Sequence, residues 1–161
     1  ALKKSQLQEY TSIKELDLEQ AFKTYKDRIE RKNNFYLIKI IRLLSPIKAF
    51  RPIIIELDDL GKCFVVDIFK KNLVHSNKRP HLRMHSESLL FLFRNTFGFD
   101  TLTVNGCFEE ASPGGFVLAT KTLAIENLNN LGINISLNTL FNFRIIKLFI
   151  TRLYRVARKL D

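Results

Sequence analysis

The sequence predicts an α+β fold, with a sheet of about five strands covered by helices and with helical arms at both ends. Three observations lead to this prediction. Two amphipathic helical patterns open the chain, a run of segments rich in β-branched residues follows, and helical patterns close it. With 161 residues, of which 46% are hydrophobic and 14 are Phe, the chain has the size of one domain with a sizeable core.

Residues 1–50 form the first helical arm. The pattern predicts one helix from about Ile13 to Lys32 and a second that stops at Ser45-Pro46, because the residue before a proline avoids the α region. Asn33-Asn34 separates the two helices. Their apolar positions are Leu18, Phe22, Tyr25 and Ile29 in the first, and Leu37, Ile40, Ile41 and Leu44 in the second. The arm either packs on the sheet as a helical hairpin or connects to further sequence.

Residues 51–132 carry the predicted α+β core. Ile53–Leu57 and Cys63–Phe69 read as two strands joined by a turn at Asp58–Gly61. A polar link follows, with a short strand expected around Leu73-Val74. The near-continuous hydrophobicity of the second strand predicts that it is covered on both faces.

The middle of this core reads as strand, helix, strand and turn. Leu82 and Met84 alternate with polar residues, and Ser86 is the expected N-cap of a helix that Gly98 ends. The helix has apolar positions at Leu89, Leu90, Phe93 and Phe97. Thr101–Val104 shows strand alternation, and Asn105-Gly106 is a strong tight-turn signal. Cys107–Glu110 then either continues the sheet or enters the next helix.

The last third of the chain is predicted to be helical. A helix begins near Ser112-Pro113 and ends at Asn129–Gly132. Residues 133–161 form the third segment, where Asn138 is expected to cap a basic amphipathic helix that runs from Thr139 to Lys159 and packs on the core.

The net charge of +10 is unevenly distributed. Residues 1–50 and 133–161 each carry an excess of +5, whereas residues 51–132 are neutral. Arg144, Lys147 and Arg155 share one face of the last predicted helix. Such a face either points to water, lies on an anionic membrane or binds an acidic partner. Nucleic acid is not favoured, because Phe141, Phe143 and Phe149 are apolar-face residues that are not interleaved with the cations.

The sequence predicts no catalytic residues, no metal site and no cofactor. His81 and His85 stand roughly 13 Å apart along a strand, too far for one metal ion. Asp58 and Asp59 fit turn chemistry better than an acid–base pair. Asp67 interrupts an apolar strand and marks either a strand end or a buried functional carboxylate. Cys63 and Cys107 are expected to be reduced, buried thiols, since a disulfide framework needs more cysteines.

The predicted core resembles a known type of domain. The resemblance rests on the paired strands Ile53–Leu57 and Cys63–Ile68, the strand-to-helix step at Leu82–Ser86, the helix closed by Gly98, and the strand Leu102–Val104 ending in Asn105-Gly106. From about Ile53 to Leu131 the chain resembles a sterol carrier protein-like domain. More narrowly, residues 84–109 (MHSESLLFLFRNTFGFDTLTVNGCFE) are similar to the C-terminal region of some bacterial metallo-β-lactamase-fold hydrolases and sialic-acid-hydroxylase-like proteins.

The resemblance implies an α+β domain with an apolar groove between sheet and helices, and a catalytic metal domain elsewhere in the polypeptide. The chain departs from the sterol carrier pattern at Cys107–Glu110, where relatives usually have Gly-Asp and small residues that line a lipid tunnel. Its basic helical arms also lie outside the usual pattern.

These observations lead to two functional hypotheses. In the first, the chain is a non-catalytic C-terminal accessory domain of a larger bacterial metallo-β-lactamase-like hydrolase, and its partner is the missing N-terminal domain of the same polypeptide. In the second, it is a lipid- or acyl-binding module that its basic helices hold at an anionic membrane surface. The first predicts a solid core, and the second predicts a continuous apolar cavity of several hundred Å³.

The hypotheses assign specific residues and a location. Phe93, Phe97, Leu102 and Phe116 are the predicted groove lining, and Arg144, Lys147 and Arg155 are the predicted anionic-ligand rim. With no signal-peptide pattern and no run of ~18 apolar residues, the expected location is the cytoplasm, with the membrane surface as a peripheral site.

Overall fold

The computed structural model describes residues 13–140, with side chains to residue 138, and shows an α+β fold in which helices cover an open five-stranded mixed sheet. The elements are α1 (Glu15–Lys32), α2 (Phe35–Leu44), β1 (Ile53–Leu57), β2 (Lys62–Val66), β3 (Val74–His75), β4 (Leu82–Met84), α3 (Ser86–Arg94), α4 (Gly98–Asn105), β5 (Phe108–Glu110), α5 (Gly115–Leu123), α6 (Ile125–Asn130) and α7 (Leu137–Leu140). The predicted fold class and strand number are confirmed.

The sheet has the strand order β3-β2-β1-β4-β5. β1 pairs antiparallel with β2, placing Ile55 opposite Phe64, and parallel with β4, placing Ile55 opposite Leu82. β5 pairs antiparallel with β4 at the opposite edge from β3. The chain therefore crosses from one edge of the sheet to the other side of β1 between β3 and β4, as a parallel pairing requires.

Helix α1 packs its apolar stripe into the core. Leu18, Phe22, Tyr25 and Ile29, the four positions that the spacing predicts, are all buried. The ring of Phe93 on α3 lies 5.3 Å from the rings of both Phe22 and Tyr25, measured between centroids. Aromatic pairs at this separation add to the stability gained from burial alone.

Helix α2 has the predicted bounds but not the predicted buried face. Asn34 caps it by accepting hydrogen bonds from the backbone N–H groups of Tyr36 and Leu37. Leu37 and Ile38 are buried, whereas Ile40 and Leu44, predicted to belong to the packed set, are exposed. On the inner side of the helix, Ile41 is partly buried against the core and the Arg42 guanidinium reaches the Asp67 carboxylate at 2.8 Å.

Between Gly98 and Gly106 the structure differs from the sequence prediction. α3 ends at Arg94, and Gly98 begins α4 instead of closing α3. Gly98 is needed because a Cβ there would lie 2.6 Å from the Cα of Leu92, so α4 starts in direct backbone contact with α3. The sequence prediction placed the end of α3 too late, because the sequence pattern does not reveal the close approach of Gly98 to Leu92.

The predicted strand Thr101–Val104 is wrong, because these residues lie in α4. Phe99 and Leu102, three residues apart, are buried on one side of the helix. The Thr101 and Thr103 hydroxyls donate to backbone carbonyls four residues earlier, which absorbs their polarity within the helix. Gly106 has a φ of 62° and caps α4 in the left-handed conformation, so Asn105-Gly106 ends a helix and not a hairpin.

The N-cap of α3 is also one residue earlier than the sequence predicted. His85 is the N-cap and accepts from the N–H of Glu87, whereas Ser86, the expected cap, is the first helical residue. The chain from Cys107 onward joins the sheet as β5, which decides between the two alternatives left open by the sequence.

Candidate functional site

The predicted groove residues lie in different parts of the fold. Phe93 and Leu102 are buried, the former among the aromatic side chains of α1. Phe97 and Phe116 are surface residues, with 55% and 38% of their areas exposed. Two of the four are thus core side chains, and two face outward at separate positions along the chain.

A row of phenylalanines that the sequence analysis missed runs from the core to the surface. The Phe108 ring on β5 lies 6.1 Å from Phe99 on α4 and 5.9 Å from Phe116 on α5, in both cases nearly parallel. Phe99 is buried, Phe108 is half-buried and Phe116 is at the surface. No spacing in the sequence signals this row, because its members come from three elements.

The predicted cationic rim cannot be placed. Arg144, Lys147 and Arg155 lie outside the described residues, as does the greater part of the last predicted helix. Their role remains a prediction from the sequence.

A surface cleft of about 470 Å³ lies beside β2 and β3. Its lining is basic and polar: Gly61, Lys62, Cys63, His75, Ser76, Asn77, Lys78, Arg79 and Pro80. Glu15 contacts both Lys62 and His75, and the hydrogen bond from Lys62 lowers the pKa of Glu15. This cleft is chemically unlike the apolar cavity that lipid carriage predicts.

The two aspartates of the β1–β2 turn have separate structural roles. Asp59 accepts hydrogen bonds from both the backbone N–H and the hydroxyl of Ser86, fixing the start of α3. Burial opposes ionisation of Asp59, but the bonds from Ser86 outweigh it and lower its pKa. Burial raises the pKa of Asp58, whose carboxylate lies 3.2 Å from Arg83. Both carboxylates thus contact residues of β4 and α3, far from the turn in sequence.

The three histidines point to three different partners. His75 contacts Glu15 at 3.1 Å, the Nδ1 of His81 accepts from the Ile54 N–H at 2.9 Å, and His85 caps α3 with its Nε2 3.8 Å from Asp59. Within residues 13–138, no group of three or more His, Cys, Asp or Glu side chains is arranged to hold a metal ion.

The prediction of two reduced, buried thiols is only partly right. Both are free thiols, but Cys107 is exposed and Cys63 is only half-buried. Cys107 follows the cap of α4 at the sheet edge, so its neighbours do not cover it. Burial raises the pKa of the Cys63 thiol.

Two buried carboxylates form ion pairs whose partners the sequence did not reveal. Asp67 directly follows β2 and binds Arg42, while Glu126 on α6 binds Arg28 on α1 at 2.7 Å. Asp67 also accepts from the N–H of Phe69. The interruption that Asp67 makes in the apolar run is therefore a strand end with a structural anchor.

The outer face of α2 exposes a group of large apolar side chains. Tyr36, Ile40, Leu43 and Leu44 lie within an arc of about 100° on the helix, and Ile47 extends the surface beyond its end. These five residues, named here the α2 ridge, are exposed, with 82% of Tyr36 and 77% of Leu44 accessible to solvent. Exposed apolar residues grouped in this way mark interaction surfaces.

No protein-family model, no curated protein and no solved structure matches the chain. Over the part that the structure describes, no helix combines the length and the hydropathy that crossing a bilayer would require.

Proposed function

We propose that the chain is a non-catalytic accessory domain of a larger bacterial hydrolase of the metallo-β-lactamase type, serving packing, substrate positioning or partner contact. The hydrolase part of this proposal comes from the resemblance of residues 84–109. The non-catalytic part is supported by how the buried polar groups are used.

Six polar side chains of the described part are almost fully buried and each bonds to another segment of the chain, whereas Ser45 Oγ and Asn127 Oδ1 are buried atoms without a hydrogen-bond partner among the described residues. Asp67 binds Arg42, Glu126 binds Arg28, Ser86 binds Asp59, Thr122 binds the Arg51 carbonyl, and Asn33 binds Asn129. Catalytic groups, in contrast, face a cleft with part of their hydrogen-bonding capacity left for a substrate. This consistent structural use is the observation that carries the proposal.

The reading frame that encodes the chain tests the link to a hydrolase. We expect sequence upstream of Ala1 to continue in frame into a domain with a histidine-rich metal-binding pattern. A start codon immediately upstream of the Ala1 codon, or an upstream domain without metal ligands, would contradict the proposal.

Native mass spectrometry and metal analysis of the purified chain test the non-catalytic role. The expected mass is that of the polypeptide alone, both before and after extraction with organic solvent. A stoichiometric metal ion would argue for a catalytic centre in this chain, and an extracted acyl or sterol-like molecule would argue for lipid carriage.

A second candidate function is contact with an anionic membrane surface, and the distribution of basic residues supports it. Residues 31–55 contain six basic and no acidic residues: Arg31, Lys32, Lys39, Arg42, Lys48 and Arg51. This stretch includes the whole of α2, and its exposed cations Lys39 and Lys48 adjoin the α2 ridge in sequence. Cations beside an apolar helix face are typical of helices that lie in the membrane interface.

A further inference from the structure

We propose that the α2 ridge is a membrane-docking surface, which inserts its aliphatic side chains among the acyl chains of an anionic lipid layer while the neighbouring lysines bind the headgroups. This proposal deepens the second candidate function, on which it rests, by naming the surface and the kind of partner.

The position of α2 in the fold leaves its outer face accessible to a membrane. Only Leu37 and Ile38 of its ten residues are buried, and the ion pair of Arg42 with Asp67 holds the same inner side. The helix therefore lies on the outside of the fold with its long axis along the surface. A ten-residue helix is about 15 Å long, so the ridge forms an apolar strip of that length.

The composition of the ridge favours lipid over a protein partner. Four of its five residues are Ile or Leu, side chains that are under-represented or ordinary at the energetic centres of protein interfaces, where Trp, Tyr and Arg prevail. The side chains also protrude, with Leu43 and Leu44 at least 70% exposed. Protruding aliphatic groups need a complementary cavity in a protein, whereas fluid acyl chains adapt to any shape.

The charges around the ridge specify an anionic surface. Lys39 lies beside Leu43 on the helix and Lys48 follows Ile47 directly, and both are exposed. Neither has a carboxylate within salt-bridge distance among the described side chains. Their long apolar stems allow the ammonium groups to reach headgroups while the neighbouring leucines insert.

Tyr36 provides a direct reporter, because the chain contains no tryptophan. The full-length Tyr36→Trp variant carries a single indole on the ridge, and Val104→Trp places one at an equally exposed site on α4. We expect vesicles of phosphatidylcholine with a quarter phosphatidylglycerol to shift the emission of Tyr36→Trp to shorter wavelength. Brominated acyl chains should quench it, and Val104→Trp should show neither effect.

Vesicle co-sedimentation measures the contribution of the ridge to affinity. Leu43→Gln/Leu44→Gln should lower the partition coefficient roughly tenfold or more, because two leucines can no longer be transferred from water. The matched control, Val104→Gln/Val117→Gln, changes two exposed aliphatic residues on α4 and α5 and should bind like the unmodified chain. All four side chains are exposed, so circular dichroism should show each variant to be folded.

The possible outcomes separate the proposal from the function on which it rests. If the unmodified chain binds the anionic vesicles and Leu43→Gln/Leu44→Gln binds equally well, the ridge is not the docking surface, although membrane contact stands. If the unmodified chain does not bind, both fail. If it self-associates through the ridge, so that Leu43→Gln/Leu44→Gln alone becomes monomeric while vesicle binding is absent, the occupant is a second copy and the proposal is overturned.

Discussion

The guanidinium of Arg28 joins three parts of the structure. Its Nε donates to one oxygen of Glu126 at 2.7 Å, and its Nη2 donates to the Phe93 carbonyl at 2.6 Å and to the second Glu126 oxygen at 3.3 Å. Burial raises the pKa of Glu126, and the bonds from Arg28 partly offset this effect. The arginine therefore favours the charged form of a carboxyl group that burial disfavours.

Replacing this arginine should destabilise the fold in a pH-dependent way. Arg28→Ala leaves Glu126 buried without its partner, and we expect the free energy of unfolding near pH 7 to fall by about 3 kcal/mol. Because the pKa of Glu126 in the folded state would rise further above 4.5, the loss should be smaller at pH 4.5 than at pH 7, since the buried carboxyl then takes up a proton and no longer needs a partner. Urea unfolding at the two pH values measures this difference.

The double variant Arg28→Ala/Glu126→Gln is the control for this prediction. Its unfolding free energy should exceed that of Arg28→Ala at pH 7 and should lack the added pH dependence. Equal losses at both pH values for Arg28→Ala would show that packing of the arginine, and not its charge, supports the fold.

His81 should make stability depend on pH in the opposite direction. Burial lowers its pKa below the usual 6.5, and its neutral ring accepts a hydrogen bond from the Ile54 N–H. Since the unfolded chain binds the proton more readily, this contribution is complete above pH 6.5 and is lost as the pH falls through the lowered pKa.

The variant His81→Leu isolates this contribution. It should be less stable than the unmodified chain by about 1 kcal/mol at pH 7.5, the usual worth of such a hydrogen bond, and the two should converge as the pH falls below 6.5. Chemical unfolding across this range measures the difference, and a constant gap would contradict the assignment.

At the scale of elements, α2 is attached to the fold along one side only. Leu37 and Ile38 are buried there, Phe35 and Ile41 pack partly against the core, and Arg42 binds Asp67. Local opening costs least where few apolar side chains are buried. The stability of α2 relative to the rest of the fold therefore depends on this ion pair as well as on its few packed side chains.

Removing the carboxylate should release α2 before the rest of the chain. In Asp67→Ala we expect the backbone amides of α2 to exchange hydrogen roughly tenfold faster, while those of α1 and β1 keep their protection. Hydrogen exchange read by mass spectrometry resolves the segments. Arg83→Ala removes exposed ion pairs with Glu56 and Asp58 and serves as the control, in which α2 should exchange at its original rate. Uniformly faster exchange in Asp67→Ala would mean that the pair supports the whole fold.

The elements differ in how far sequence alone could predict them. The first two helices follow from apolar periodicity and from the breaks at Asn33-Asn34 and Pro46, signals that act within a few residues. Residues 101–104 were predicted wrongly because alternation of threonine with apolar residues also fits a helix whose threonines bond to its own carbonyls. The contact that decided the outcome, between Gly98 and Leu92, belongs to the packing of two helices and leaves no local pattern.

The features of the candidate site also differ in how far the sequence alone could predict them. The exposed face of α2 could not be read from its composition, because apolar residues lie on most of its sides and the partners that mark the inner side, such as Phe69 and Asp67, are distant in sequence. The turn at Asp58–Gly61 followed from local sequence, whereas the bonds of Asp59 to Ser86 and of Asp58 to Arg83 did not. Pairs such as Arg28 with Glu126, 98 residues apart, need the tertiary structure to become visible.

At the scale of the whole molecule, the two ends of the described chain complete one core. Tyr25 and Arg28 of α1 bond to Leu123 and Glu126, and Asn33 bonds to Asn129 and to the N–H of Ile135. The sheet alone therefore does not supply all the partners of α1. A chain that ends after Ala111 lacks α5 and α6, and we expect it to show no cooperative thermal transition by circular dichroism, in contrast to the full chain. A sharp transition in the shortened chain would show that the sheet with α1 and α3 is self-sufficient.

The distance between these partners along the chain has a consequence for synthesis on the ribosome. At about 5 to 20 residues per second, the roughly 100 residues between α1 and its last partners take on the order of 5 to 20 s to translate. Throughout that interval the apolar stripe of the first helix has emerged, while the segment that covers part of it has not yet been made. During this interval the exposed stripe is open to contacts with other apolar surfaces, and this exposure should end when residues 123–135 appear.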